Sequence, residues 1–280
     1  MKKSRTTLIR SAAICVASAL SLATLVAAPS GAWANDATPA SASPEIVAES
    51  LENVEKANPS LLREPVGDSG TGINPLLKGN SNVTVPTTLS DGVAIANDNG
   101  VFHIELPNAL GGGPAQTLDN GTVVYPGDSS ANSVAVIDGG VQMLTTIARA
   151  DAPVDYSYKV SLETDQKLEL TDTGAAVVNA DGSLAVVVSE AWAKDANGMD
   201  VPTSYTVDGS TLTQTVEHTT MKNVAYPVVA DPIFLAPFVV KCLVGLGLSG
   251  PQITQIALSG TPWSVLAAFG RAGVACIFGR

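Results

Sequence analysis

Several short stretches of this 280-residue chain have residue types and spacing that could do chemistry. Gly67-Asp68-Ser69-Gly70 spells the tetrapeptide around a protease serine nucleophile. A base must take the serine proton, and in that arrangement the histidine precedes the serine; here His103 and His218 both follow Ser69. Asp172-Thr173-Gly174-Ala175 has the form in which paired carboxylates share one proton, but no second copy of the motif is present and Thr171 stands where an apolar residue belongs. A β-turn between residues 168–170 and 176–178 accounts for the same residues.

Asp195, Asn197 and Asp200 offer oxygens of the kind that hold calcium, without the terminal Glu of an EF-hand loop. A hairpin turn explains them on backbone grounds. His103 shares the polar face of an alternating strand with Glu105, while His218 shares parity with Leu212 and Val216 and is expected to be partly buried. Trp192, Tyr156, Tyr158 and Tyr205 could build a sugar-binding platform, although aromatic side chains on strands are more often core. No metal and no cofactor is expected, because Cys242 and Cys276 lie too far from either histidine for zinc-ligand spacing.

These candidates sit on three unlike segments. Residues 1–34 carry Lys2, Lys3, Arg5 and Arg10, an apolar run over 11–28, and Ala32-Trp33-Ala34 at a small-x-small cleavage site. They read as a signal peptide for the general secretory route, since Arg5 and Arg10 are not adjacent and Cys15 lacks a lipoprotein context. Cleavage leaves Cys242 and Cys276 as an even pair in an oxidising compartment, which predicts one disulfide. The protein is then expected to be extracellular, with a composition that also suits association with the cell envelope.

Residues 35–79 read as a linker with a short helix. Ser43-Pro44-Glu45 supplies an N-cap, a first-turn proline and an acidic first turn, and the helix should end near Asn58-Pro59, giving a loosely docked arm. Residues 80–232 change to a period of two, as in Val101-Phe102-His103-Ile104-Glu105-Leu106, punctuated by Asp-Gly and Asn-Gly pairs such as Asp138-Gly139, Asp181-Gly182 and Asp208-Gly209. The expected fold is mainly β: an antiparallel β-sandwich or meander domain with a small C-terminal helical hairpin.

Part of this domain resembles a module of uncharacterised secreted actinobacterial proteins. Ala191-Trp192-Ala193-Lys194-Asp195-Ala196-Asn197-Gly198 is similar to its W-A-x-D-A-x-G segment, and Ala225-Tyr226-Pro227-Val228-Val229-Ala230-Asp231-Pro232 to its closing Y-P-V-x-x-D-P. The resemblance covers roughly residues 150–232. It implies export and a β fold, and carries over no catalytic residue.

Residues 233–280 form an apolar, cationic helical segment. From 236 onward there is no Asp or Glu, and the charges are Lys241, Arg271 and Arg280, whereas residues 35–235 hold 8 Lys+Arg against 26 Asp+Glu. The formal net charge of -11 averages these unlike pieces, and excludes nucleic acid as a partner for want of a basic surface. Two apolar runs, 233–248 and 263–278, are each interrupted by a charge. Three arrangements suit them: packing on the β domain, contact with membrane, or contact with a protein partner. The residues expected to make such contacts are Phe238, Lys241, Trp263, Phe269, Arg271 and Phe278.

The sequence therefore reads as a secreted, non-enzymatic protein whose C-terminal segment meets a membrane surface or a cell-envelope protein. No small-molecule ligand is identified. Two alternatives are the precursor of a membrane-active, bacteriocin-like C-terminal peptide held by an acidic pro-domain, and an aspartic-protease-like hydrolase using Asp172.

Overall fold

The computed structural model describes residues 41–66, 69–76, 81–97, 100–107, 112–258 and 262–278, leaving aside the side chains at 257, 258, 262–264 and 278. The signal-peptide segment 1–34 and the pair Gly67-Asp68 lie outside the described residues. The chain enters through helix α1 (Pro44–Ala57) and strands β1 (Gly72–Pro75), β2 (Asn82–Val85), β3 (Val93–Asn97) and β4 (Gly100–Glu105). It continues through β5 (Gln116–Thr117), β6 (Val123–Tyr125), β7 (Ser130–Ile137), β8 (Gly140–Ile147) and β9 (Asp155–Val160). Next come β10 (Lys167–Thr171), β11 (Gly174–Val178), β12 (Leu184–Val188), β13 (Ala193–Lys194), β14 (Thr203–Asp208) and β15 (Thr211–Val216). The last elements are β16 (Val228–Ala230), β17 (Ile233–Leu235), α2 (Pro237–Gly245), α3 (Gly250–Leu258) and α4 (Pro262–Phe278).

The strands form two antiparallel sheets, the expected sandwich-like fold. One runs β1-β2-β3-β4-β9-β15-β14; the other runs β10-β11-β12-β17-β8-β7-β6-β5, with β16 joining β13 to β8. Alternation along β9 turns Tyr156, Tyr158 and Val160 inward and leaves Asp155, Ser157 and Lys159 exposed. Across the interior, the Tyr158 ring lies 6.1 Å from Phe234 on β17. Tyr156, Tyr158, Trp192 and Tyr205 are all buried, so the aromatic set is core and offers no sugar platform.

The predicted hairpins are present: Val177 pairs with Val186 across Asp181-Gly182, and Val207 with Leu212 across Asp208-Gly209. Asp138-Gly139 closes the β7–β8 hairpin, where Ile137 faces Gly140. Gly139 has φ of 85°, and a Cβ at Gly140 would collide with the Phe234 carbonyl oxygen of the adjoining β17, so both positions require glycine.

Two boundaries differ from expectation. Residues 35–79 are not a loosely docked arm where described. Ser43 caps α1 by accepting the Ile46 N–H at 3.4 Å, and the stripe Val47, Leu51 and Val54 is buried against Val124, Leu144, Trp192 and Val229. That stripe needs an apolar partner, and the outward side chains of β6, β8 and β16 provide it, which is why β8 is buried on both faces. Further along the arm, β1 forms the edge of a sheet.

The helical segment also begins later than residue 233. Ile233–Leu235 is a strand seated between β12 and β8, with Phe234 opposite both Val188 and Val141. The short apolar run is fully buried in the middle of a sheet, an environment that composition alone does not separate from a buried helix.

Candidate functional site

Helix α2 starts at Pro237, whose fixed φ and missing N–H suit a first helical position. Its sequence Pro-Phe-Val-Val-Lys-Cys-Leu-Val-Gly carries two faces. Val239, Val240 and Leu243 are fully buried against the β domain. Phe238, Lys241 and Val244, three residues apart, line a cleft of about 540 Å³. Its apolar walls are half-buried Leu184 and Ala185 of β12 and Pro237 of α2, with the buried Ile95 of β3, Phe102 of β4 and Val186 of β12 also lining it. The volume falls in the range of small-molecule sites.

The polar side of the cleft is largely satisfied within itself. The Glu163 N–H donates to Gln166 Oε1 at 2.9 Å, Gln166 Nε2 to Asn179 Oδ1 at 2.9 Å, and Asn179 Nδ2 to Ser183 Oγ at 3.0 Å. Ser183 in turn donates to Asp181, holding that exposed carboxyl below its usual range. Ser161 Oγ accepts the His103 N–H at 2.8 Å. Two charged groups lining the cleft, Lys241 and Glu163, make no ion pair among the described residues. At its edge Val101 and Val244 are 51% and 37% exposed, and Leu246 just beyond α2 is 46% exposed.

Cys242 and Cys276 form the expected disulfide, with Cα atoms 5.6 Å apart. It ties α2 to the end of α4, where Ile277 lies with Val239 over the Gly139 turn. α4 kinks at Gly270 (φ 70°). Phe269 is half-buried against the core and Arg271 is exposed. The side chains of Trp263 and Phe278 lie outside those described. Of the six residues expected to make contacts, the structure brings Phe238 and Lys241 together in one cleft. No helix among the described residues is long and apolar enough to cross a membrane.

The other candidates lie apart. Asp172 is exposed in the β10–β11 turn. Ser69 is buried, its hydroxyl donating to the Gly121 carbonyl at 3.4 Å. Asp195 closes a turn: one carboxylate oxygen accepts the N–H groups of Asn197 and Met199, each at 2.9 Å, and the other accepts that of Ala225 at 3.2 Å. Its oxygens are therefore committed to backbone. His218 is 1% exposed, more deeply buried than expected, with Nδ1 2.8 Å from the Tyr226 hydroxyl and Nε2 3.0 Å from the Pro153 carbonyl. No group of three potential metal-ligating side chains occurs among the described residues.

One buried polar centre has no counterpart in the expectations. Asp231 is inaccessible to solvent, accepting the Trp192 N–H and the Ser189 hydroxyl, each at 3.3 Å. Burial pushes its carboxyl well above the usual range, against the smaller pull of those hydrogen bonds and of Arg63. Burial also lowers the Arg63 guanidinium to about 10, and its Nη2 reaches the Ile256 carbonyl of α3 at 3.5 Å. This centre joins the arm, the sandwich and the helical segment without opening to a substrate.

The Phe238–Lys241 pair is legible in composition, whereas nothing in the sequence distinguishes Phe102, Val186, Glu163 and Gln166 from other strand and loop residues. The signal that could have found α2's cleft face was its three-residue spacing from Phe238 to Val244. No protein-family model, curated protein or solved structure matches this chain.

Proposed function

We propose that this is an exported, non-enzymatic binding protein whose C-terminal segment makes its contact surface by walling a cleft for a small apolar molecule. The observation that carries the reading is the division of α2 into a core face, Val239, Val240 and Leu243, and a cleft face, Phe238, Lys241 and Val244. The disulfide suits an oxidising compartment. Cleavage after Ala34 and the likeness to actinobacterial secreted modules belong to the same proposal.

Titration with the neutral fluorophore N-phenyl-1-naphthylamine tests it. Saturable binding by the full chain is expected, reduced about tenfold or more by Ala185→Trp, which puts bulk into the cleft from a half-buried lining position. A signal that does not saturate, or that ignores both Ala185→Trp and Val101→Asp, overturns the reading.

Contact with membrane is a second reading, favoured by the exposed Val101, Val244 and Leu246 near Lys241, which makes no ion pair among the described residues. It predicts that anionic vesicles sediment the full chain and that Leu246→Asp abolishes this. Vesicle binding that neither Leu246→Asp nor Lys241→Glu changes counts against it.

A further inference from the structure

Resting on the cleft reading, we propose that its ligand is an amphiphile with an apolar body and a single anionic head, held with the head at Lys241.

The lining assigns the two halves. Val101, Leu184, Pro237, Phe238 and Val244 offer apolar surface, with the buried Ile95, Phe102 and Val186 also lining the cleft, and burying an apolar chain there is favourable by about 25 cal/mol per Å². The amides and hydroxyls are already engaged: Gln166, Asn179 and Ser183 form one hydrogen-bonded chain with each other and with Asp181. An uncharged polar head finds there only the remaining N–H groups and lone pairs of those amides, and gains no charge pair. Lys241 is exposed and unpaired among the described residues, so it can meet an anion without giving up an ion pair.

Glu163 sets the orientation. It comes from the loop between β9 and β10, with Oε1 beside Gly100 at the start of β4, whereas Lys241 projects from α2. An anionic head is repelled by the Glu163 wall and attracted by the α2 wall. The same Glu163 would serve a cationic amphiphile, so the ligand's charge is the quantity to test. Commitment to the anion follows from the apolar surroundings: Phe238 stands one turn from Lys241 on the same helix face, so a chain lying on Phe238 brings its end to the ammonium.

The experiment displaces the naphthylamine probe with decanoate, decanol and decylamine, ligands of equal chain length and different head charge. Decanoate is expected to compete about 3- to 5-fold more tightly than decanol, the effect of one partly exposed charge pair, and decylamine more weakly than both. Lys241→Glu should reverse the order of decanoate and decylamine. Arg271→Gln, removing an exposed cation that does not line the cleft, should leave it unchanged. Equal competition by all three ligands, or an order that survives Lys241→Glu, overturns the anionic-head proposal; Ala185→Trp blocking all three would then leave the cleft reading standing. Failure of the probe itself to bind removes both.

Discussion

Asp231 and Trp192 are hydrogen-bonded to each other twice: the Asp231 carboxyl accepts the Trp192 N–H at 3.3 Å, and the Asp231 N–H donates to the Trp192 carbonyl at 3.4 Å. The stretches 191–198 and 225–232 therefore meet in space. Ala193 pairs with Ala230 and Lys194 with Val229, and the Tyr205 hydroxyl donates to the Asp231 carbonyl at 3.2 Å. The aspartates of the two stretches satisfy backbone N–H groups at places where strand pairing breaks off.

The Asp231 carboxyl gives stability a defined pH dependence. Its folded-state value is raised above the ordinary value of 3.8, so the folded protein holds a proton that the unfolded chain releases. This contribution is complete below about pH 4 and is lost as pH rises through the folded-state value, at up to about 1.4 kcal/mol per pH unit. Denaturant midpoints of wild type and Asp231→Asn, compared from pH 4 to pH 8, should show the variant gaining relative to wild type as pH rises. Asp231→Ala should lose about 1–3 kcal/mol at pH 4, because the Trp192 N–H is left without an acceptor.

Gly140→Ala is expected to destabilise by at least about 2 kcal/mol, since the added methyl must displace the Phe234 carbonyl of β17. Gly182→Ala serves as a contrast. Gly182, unlike Gly140, has positive φ, at 80°, and no atom stands within 4 Å of an added Cβ, so its cost should be the backbone strain alone, about 1 kcal/mol. Thermal unfolding of both variants measures the difference.

Cys242→Ser with Cys276→Ser should cost about 3–4 kcal/mol, the chain-entropy value for a 34-residue separation. Hydrogen exchange should quicken across residues 262–278 while β7 and β8 remain protected. The reason is that α2 keeps Val239, Val240 and Leu243 buried without the bridge, whereas α4 buries few large side chains among those described: Val265 and Ile277.

Asp172→Asn is expected to change stability by less than about 0.5 kcal/mol, as for other exposed turn positions. A peptide-cleavage assay at pH 3 to 5 should give the same trace for wild type and variant. Loss of a measurable cleavage rate in the variant would restore the hydrolase alternative.

What the sequence made legible was mostly local. The α1 cap at Ser43, the Asp181-Gly182 and Asp208-Gly209 hairpins and the cysteine pair each depend on residues close in the chain or on a count. What escaped depends on partners far away. The docking of α1 requires outward-facing Val124, Leu144 and Val229, and the placement of Ile233–Leu235 requires a vacancy between β12 and β8. Periodicity reports which side of an element is apolar, but not what covers it. The cleft shows the same limit: Lys241 and Phe238 stood out against an acid-free background, while Val186 and Phe102 looked like any strand residue.

The seat of β17 also orders events in time. Phe234 pairs with Val141 and Val188, so the middle of the ten-stranded sheet is filled by residues that leave the ribosome long after β8. Until residue 235 is available, β8 and β12 have an open seam between them with unpaired backbone groups on both sides. The sheet cannot close early, and the last strand to arrive completes it.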